Sequence, residues 1–312
     1  MRDPLDGRLG LNVPYEWWPA PELLAEIEEA GFSWVQLPAP PPSVLADTRC
    51  CIRHAQAVCA AVSATRLRTV LHAPGDLLAG SPEADRAVAG AISYAAECGA
   101  EQVVYHAQMV IEGRAAQDRL LAEARSLATL AGTAERVGVK LALENLAPVY
   151  PGPETVSANP LAVRSLARRL ESPAVALCVD IGHANVVAGL RRTSLHRMIA
   201  PVLDLASVFH VHDNLGARWR AADQRPGIDP LRLDLHLEPG RGSIDWFAVG
   251  ALLADHRAPL LLEIHPPRAR PAGGVGSRRA RRRSRGYECL TTMLSILLPA
   301  VRQLSIPASS AP

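Results

Sequence analysis

Eight short runs of apolar, largely β-branched residues recur along the chain, and amphipathic, alanine-rich stretches separate them. The runs are Leu9–Val13, Ser33–Leu37, Arg68–Leu71, Gln102–Tyr105, Val139–Leu143, Val175–Val179, Ser207–Val211 and Pro259–Ile264. Helical spacing marks Pro21–Ala30, Ser43–Ala64, Pro82–Cys98, Ala115–Val137 and Pro160–Leu170 between them. Ser43, Ser81 before Pro82, and Asn159 before Pro160 are the expected caps. Nearly continuous apolar strands are buried on both faces, so repeated strand–helix units predict a parallel sheet jacketed by helices. Eight units close most simply as a single-domain (β/α)8 barrel. A doubly wound open sheet competes, but no Gly-x-Gly-x-x-Gly turn follows the first run.

A length of 312 residues suits one such domain, and a 48% hydrophobic content excludes a mostly disordered chain. The expected division is a barrel over residues 1–265, a flexible loop over 266–286, and a C-terminal helix and tail over 287–312 that pack back on the barrel. The loop expectation rests on eight arginines and no acid between Arg268 and Arg285. Without those arginines the chain carries 25 basic against 31 acidic residues, a body poorly suited to gripping a polyanion. Met1–Gly10 lacks a secretory pattern, and the apolar segment Cys289–Val301 falls short of the ~20 residues that span a bilayer. The six cysteines show no Cys-x-x-Cys spacing and read as idle thiols in a reducing compartment. A cytoplasmic protein without membrane contact is expected.

The residues that end the strands carry the chemistry. His72 ends the third run, His106 the fourth, Glu144 the fifth and Asp180 the sixth, while His210 lies near the end of the seventh and Glu263 closes the eighth. Their spacings are 34, 38, 36, 30 and 53 residues, and the first four each match one strand-plus-helix unit. A barrel brings all such ends to one rim, around one pocket. Singly, each residue has a bland explanation as a structural hydrogen-bonding group or a paired acid. Six imidazoles and carboxylates in one pocket are harder to account for, because they repel or demand desolvation unless a divalent cation neutralises them. Mixed oxygen and nitrogen ligation suits zinc, manganese, iron or cobalt, and magnesium where oxygens dominate.

Two local motifs add donors. Asp180-Ile-Gly-His183 places a second imidazole one turn past the sixth strand. Asp234-Leu-His236 precedes Gly240-Arg-Gly242, whose glycines permit a tight path before a helix expected to begin near Ser243.

The ordered set His72-Ala-Pro, Tyr105-His106, Leu143-Glu144-Asn145, Val179-Asp180-Ile-Gly-His183, His210-Val-His-Asp-Asn214, Asp234-x-His236-x-x-x-Gly-x-Gly242 and Leu262-Glu263 resembles the xylose-isomerase-like barrel superfamily. That superfamily joins sugar and sugar-phosphate isomerases and epimerases with apurinic endonuclease IV. In the first branch the resemblance implies one metal held by Glu144, Asp180, His210 and Glu263. Glu144 and Glu263 then form the acid–base pair for an enediolate mechanism, and His183 binds substrate oxygens. In the second branch it implies three zincs held by His72, His106, Glu144, Asp180, His183, His210, Asp234, His236 and Glu263, for hydrolysis of a phosphodiester in abasic DNA.

Three features favour the isomerase branch. Gly75 and Asp76 follow His-Ala-Pro where the endonuclease pattern has a tyrosine. The His210-to-Asn214 motif and the Gly-x-Gly-Ser-Ile-Asp-Trp stretch take the isomerase form. Lys140 is the only lysine, whereas DNA binding relies on many phosphate contacts. The expected function is therefore isomerisation or epimerisation of a sugar, sugar phosphate, cyclitol or related keto-polyol with one to three divalent ions, a lyase being a near neighbour. The expected partner is a small polyol or sugar, with nucleic acid the alternative, and a homo-oligomer is in keeping with similar enzymes. Arg218, Arg220 and the arginine segment are candidate anion anchors, and Trp17 and Trp18 candidate pocket walls.

Overall fold

The structure is a computed structural model of the 312-residue chain, and it describes residues 7–13, 21–111, 113–149, 152–217 and 233–264. Eight parallel strands pair in sequence order and close on themselves. They are β1 (Leu9–Asn12), β2 (Trp34–Pro38), β3 (Arg68–His72), β4 (Gln102–His106), β5 (Lys140–Glu144), β6 (Val175–Asp180), β7 (Ala206–Val211) and β8 (Leu260–Leu262). The helices outside them are α1 (Pro21–Glu29), α2 (Pro42–Leu45), α3 (Thr48–Ser63), α4 (Pro82–Cys98), α5 (Arg114–Val137), α6 (Pro160–Arg169), α7 (Ile181–Leu190), α8 (Leu195–Ile199) and α9 (Trp246–Leu253). The chain is thus the expected single (β/α)8 barrel, while the loop and helix expected over residues 266–286 and 287–312 lie outside the described residues.

Side chains alternate between the two faces of a strand, and that period of two builds the interior in layers. Leu11, Val35, Leu71, Val103, Leu141, Leu143, Val179, Phe209 and Leu262 face outward and are buried beneath the helices. Trp34, Val70, Val104, Ala142, Cys178, Val208 and Leu261 face inward and form a separate buried cluster inside the barrel. β1 contributes Gly10 at that level, because a Cβ there would stand 2.3 Å from Leu261 and 2.7 Å from the Trp34 Cβ. Two residues further along each strand the polarity switches. Asn12, Gln36, His72, His106, Glu144, Asp180, His210 and Glu263 follow as the next inward layer. Register keeps them level, with His106 opposite Glu144 and Asp180 opposite His210.

The expected helix over Ser43–Ala64 is in fact two helices. Asp47 sits between them in an extended conformation and caps α3 by accepting from the Cys50 N–H at 2.9 Å, so it, and not Ser43, starts the long helix. The helix expected near Ser243 begins at Trp246 and is capped by Asp245. Ser81 and Asn159 cap α4 and α6 as expected. Asp47→Ala is expected to lower unfolding stability by about 1 kcal/mol, and Ser43→Ala to change it by less than about 0.5 kcal/mol, as read by urea denaturation.

Candidate metal centre

All nine candidate ligands converge on the barrel mouth. Glu144, Asp180, His210 and Glu263, at the ends of β5 to β8, bring one ligand atom each within 4.8 Å of the others. His72 and His106 do the same with Glu144, and so do His183, Asp234 and His236 together with a residue the sequence reading passed over, His212. Glu144 joins the first two sets through separate oxygens. Its Oε1 faces His210 Nδ1 at 3.1 Å, and its Oε2 faces His72 Nε2 and His106 Nε2, each at 3.3 Å. Arg218, Arg220, Trp17 and Trp18 lie outside the described residues.

Each of these candidate histidines is held by one ring nitrogen so that the other faces the carboxylates. His72 Nδ1 donates to Ala73 O (2.7 Å), His106 Nδ1 to Gly75 O (2.9 Å), His183 Nδ1 to Asn145 O (2.9 Å) and His236 Nδ1 to Glu263 O (2.7 Å). His210 uses Nε2 instead, donating to Gln36 Oε1 at 2.9 Å. This is the arrangement by which a protein fixes the tautomer of a metal-binding imidazole. His212 is fully buried, donates from Nε2 to Asp180 Oδ1 at 3.1 Å, and stacks on His236 with ring centroids 4.0 Å apart.

Backbone close approach explains the glycines of both motifs. A Cβ on Gly182, between Asp180 and His183, would fall 2.1 Å from the His212 ring. Asp180 also caps α7 by accepting from the His183 N–H at 2.6 Å, so strand end and helix start are one unit. Asp234 and His236 lie outside any strand and are positioned by Asp213, just past β7. Asp213 Oδ1 accepts from Asn214 N (2.8 Å) and Ile244 N (3.3 Å), and its Oδ2 from Gly240 N and Trp246 Nε1 (both 3.0 Å). Its backbone exchanges two hydrogen bonds with Leu237, at 2.7 and 2.9 Å. Gly242 is required because a Cβ there would stand 2.1 Å from Asp213 Oδ1.

The electrostatics describe a site that demands positive charge. Burial pushes the carboxyl groups of Glu144, Asp180, Asp234 and Glu263 toward protonation, and the facing imidazoles more than reverse it. Glu144 and Asp234 fall well below the ordinary carboxylate range, Asp180 falls below its usual value, and Glu263 falls to about 2. Burial likewise opposes charge on the imidazoles, yet the carboxylates hold His183 and His210 well above their usual value and raise His236 to about 9. Among the described residues, Glu144 Oε2 and Asp180 Oδ2 are buried with no hydrogen-bond partner, and the histidine nitrogens nearest to them stand 3.3 to 3.6 Å away. Buried acceptors that are ionised but under-satisfied, beside imidazoles with one nitrogen turned inward, fit a divalent cation. The first donor set would hold one ion, and the other two sets offer places for further ions.

The comparisons agree with this reading of the fold. The xylose isomerase-like TIM barrel family model matches residues 24–284. The chain belongs to that family. A D-tagatose 3-epimerase-like protein has 20% identity and a TM-score of 0.62, covering 94% of this chain and 99% of its own. The 3-keto-D-glucoside 4-epimerase YcjR of E. coli, in its apo form, has 17% identity and a TM-score of 0.63, covering 90% and 98%. A Thermus thermophilus protein soaked with zinc chloride has 21% identity and a TM-score of 0.56, covering 83% and 91%. These likenesses are of fold. Among proteins of curated function, none matches the chain by sequence. Among the described residues no helix is long and apolar enough to cross a membrane.

Two outcomes follow from the charge balance. The raised values of His183, His210 and His236 leave protons on these imidazoles in the metal-free site at pH 7, so zinc binding is expected to release protons, read as a buffer-dependent heat in titration calorimetry. His236 rises from 6.5 to about 9 on folding, so its contribution to stability is complete below pH 6.5 and is lost as the pH rises through about 9. Chelator-treated protein is therefore expected to lose Tm between about pH 7 and pH 9.5, whereas zinc-loaded protein keeps it.

Proposed function

We propose that the protein is a metal-dependent isomerase or epimerase of a keto-sugar, sugar phosphate, cyclitol or related keto-polyol. The observation that supports this most is the pair Glu144 and Glu263. Their carboxyl groups are held below the usual range, they stand at the end of β5 and just past β8, and both face the same His210 Nδ1, at 3.1 and 3.0 Å. A substrate carbon between two such carboxylates has a base on one side and, once that base is protonated, an acid–base partner on the other. When bound, a divalent ion supplies polarisation of the substrate's carbonyl and hydroxyl oxygens, which acidifies the adjacent C–H bond. One glutamate takes the proton from that carbon, leaving the substrate as an enediolate. The other glutamate, once it has taken up a proton from solvent, delivers it to the opposite face for epimerisation or to the neighbouring carbon for isomerisation, and the first releases the abstracted proton to solvent. His183, its Nδ1–H committed to Asn145 O and its Nε2 3.5 Å from Asp234 Oδ2, would meet a substrate oxygen through that Nε2. The site reaches solvent past His72, His106 and Asp234, whose side chains retain 17%, 22% and 31% of their exposure while Glu144 retains 1%. The sugar epimerases among the structures of similar fold support the same class of substrate.

One observation favours a second reading, phosphodiester hydrolysis of the endonuclease IV kind. Glu144 links two donor sets through separate oxygens, and a third set adjoins them, as a multinuclear hydrolytic site would require. The acidic body and the single lysine weigh against abasic DNA as substrate.

The test is proton exchange at carbon. Metal-loaded protein in D2O with ketopentoses, ketohexoses, their phosphates and inososes is expected to place deuterium beside the carbonyl of at least one, as read by proton NMR. Glu144→Gln and Glu263→Gln are each expected to slow that exchange by about a hundred- to ten-thousandfold. Undiminished exchange in both variants would contradict the acid–base assignment. No exchange with any of them, together with cleavage of abasic-site DNA that His106→Ala abolishes, would establish the hydrolytic reading.

A further inference from the structure

Six strands place an ionisable side chain in the inward layer at the mouth, and the remaining two, β1 and β2, place amides there. Asn12 and Gln36 lie two residues past Gly10 and Trp34, the interior-layer positions of their strands, and are register partners of each other. Gln36 is fully buried. Their hydrogen bonds run in one direction around the mouth. His210 Nε2 donates to Gln36 Oε1 at 2.9 Å, Gln36 Nε2 donates to Asn12 Oδ1 at 3.2 Å, and Asn12 Nδ2 donates to Glu263 Oε1 at 3.2 Å. Glu263 Oε2 then faces His210 Nδ1 at 3.0 Å, which closes the loop.

The order of donors and acceptors follows from chemistry. Asn12 presents its NH2 group to a carboxylate oxygen of Glu263, so its carbonyl oxygen is free to face Gln36. Asn12 therefore turns its oxygen to Gln36, Gln36 its own oxygen to His210, and the proton on His210 is fixed at Nε2. Nδ1, the nitrogen facing Glu144, Asp180 and Glu263, is then the one that would give up its proton and offer a lone pair to a metal ion. The same chain holds Glu263 by Oε1 and leaves Oε2 for the site.

We propose that Asn12 and Gln36 are positioning residues of the metal centre, coupling the tautomer of His210 to the orientation of Glu263. The inference rests on the metal site of the proposed function but not on its substrate. It also explains why two strands that supply no ligand carry polar groups at a level where apolar side chains would otherwise close the barrel.

The test reads metal binding and nitrogen chemistry, not turnover. Cadmium-113-loaded, nitrogen-15-labelled wild type is expected to show cadmium coupled to His210 Nδ1 with the proton on Nε2. Gln36→Met, close in volume, and Asn12→Ala, which spares the His210 contact itself, are each expected to weaken zinc binding about ten- to a hundredfold in chelator competition. Because the links are in series, the double variant should lose less than the product of the two single losses. Gln36→Met should also lose the defined Nε2–H signal of His210. Affinities within about twofold of wild type in both single variants, or cadmium coupled to Nε2, would overturn the proposal and leave the metal site standing. Wild-type protein that binds neither zinc nor cadmium would overturn the site, and with it the proposed function.

Discussion

Four carboxylates share one barrel mouth with six imidazoles, and burial makes their negative charge untenable without compensating positive charge among them. In the metal-free protein, protonated imidazoles supply it, which is why the acids fall below their usual range while His183, His210 and His236 rise. The fit is incomplete. Among the described residues, two carboxylate oxygens, on Glu144 and Asp180, still lack hydrogen bonds, and the nearest imidazole nitrogens stand 3.3 to 3.4 Å away. A cation that accepts several lone pairs at once resolves both the charge and the missing partners, and the rest of the architecture can be understood as holding the donors ready for it.

The barrel does this with a period of two. One turn of the interior is filled by Trp34, the valines of β3, β4 and β7, and their neighbours, and the next inward position on every strand is polar. The apolar layer seals the floor beneath the charges, and the strand register sets their height. Beyond the sheet, precision comes from backbone carbonyls that orient four of the histidines and from Asp213, whose four accepted hydrogen bonds fasten the loop bearing Asp234 and His236. Glycines appear where another group must come too close for a Cβ, at Gly182 beneath His212 and at Gly242 beside Asp213.

Much of this was legible in the sequence. Ionisable residues ending apolar runs at unit spacing locate a rim, and the donors from His72 to Glu263 were placed on it without a structure. Asn12 and Gln36 escaped because an amide at a strand end carries no chemical signal alone, and its two-residue offset from the interior layer appears only once that layer is known. His212 and Asp213 were inside a quoted motif, yet the period of two gives a role to His210 alone, since the chain leaves β7 at Val211. α7 was missed because it is buried on nearly every side and shows no amphipathic period, while Asp47 divides a stretch whose periodicity never falters. The third donor set depends on a loop, where nothing but tertiary hydrogen bonding fixes position.

The central claim is that the mouth of this barrel is a metal centre, and the most direct test is the number of ions per chain. Protein purified without chelators, loaded with zinc or manganese and desalted, would be measured by elemental analysis against protein concentration. Retention of one to three ions per folded chain is the expected result. A folded chain that retains none would contradict the claim.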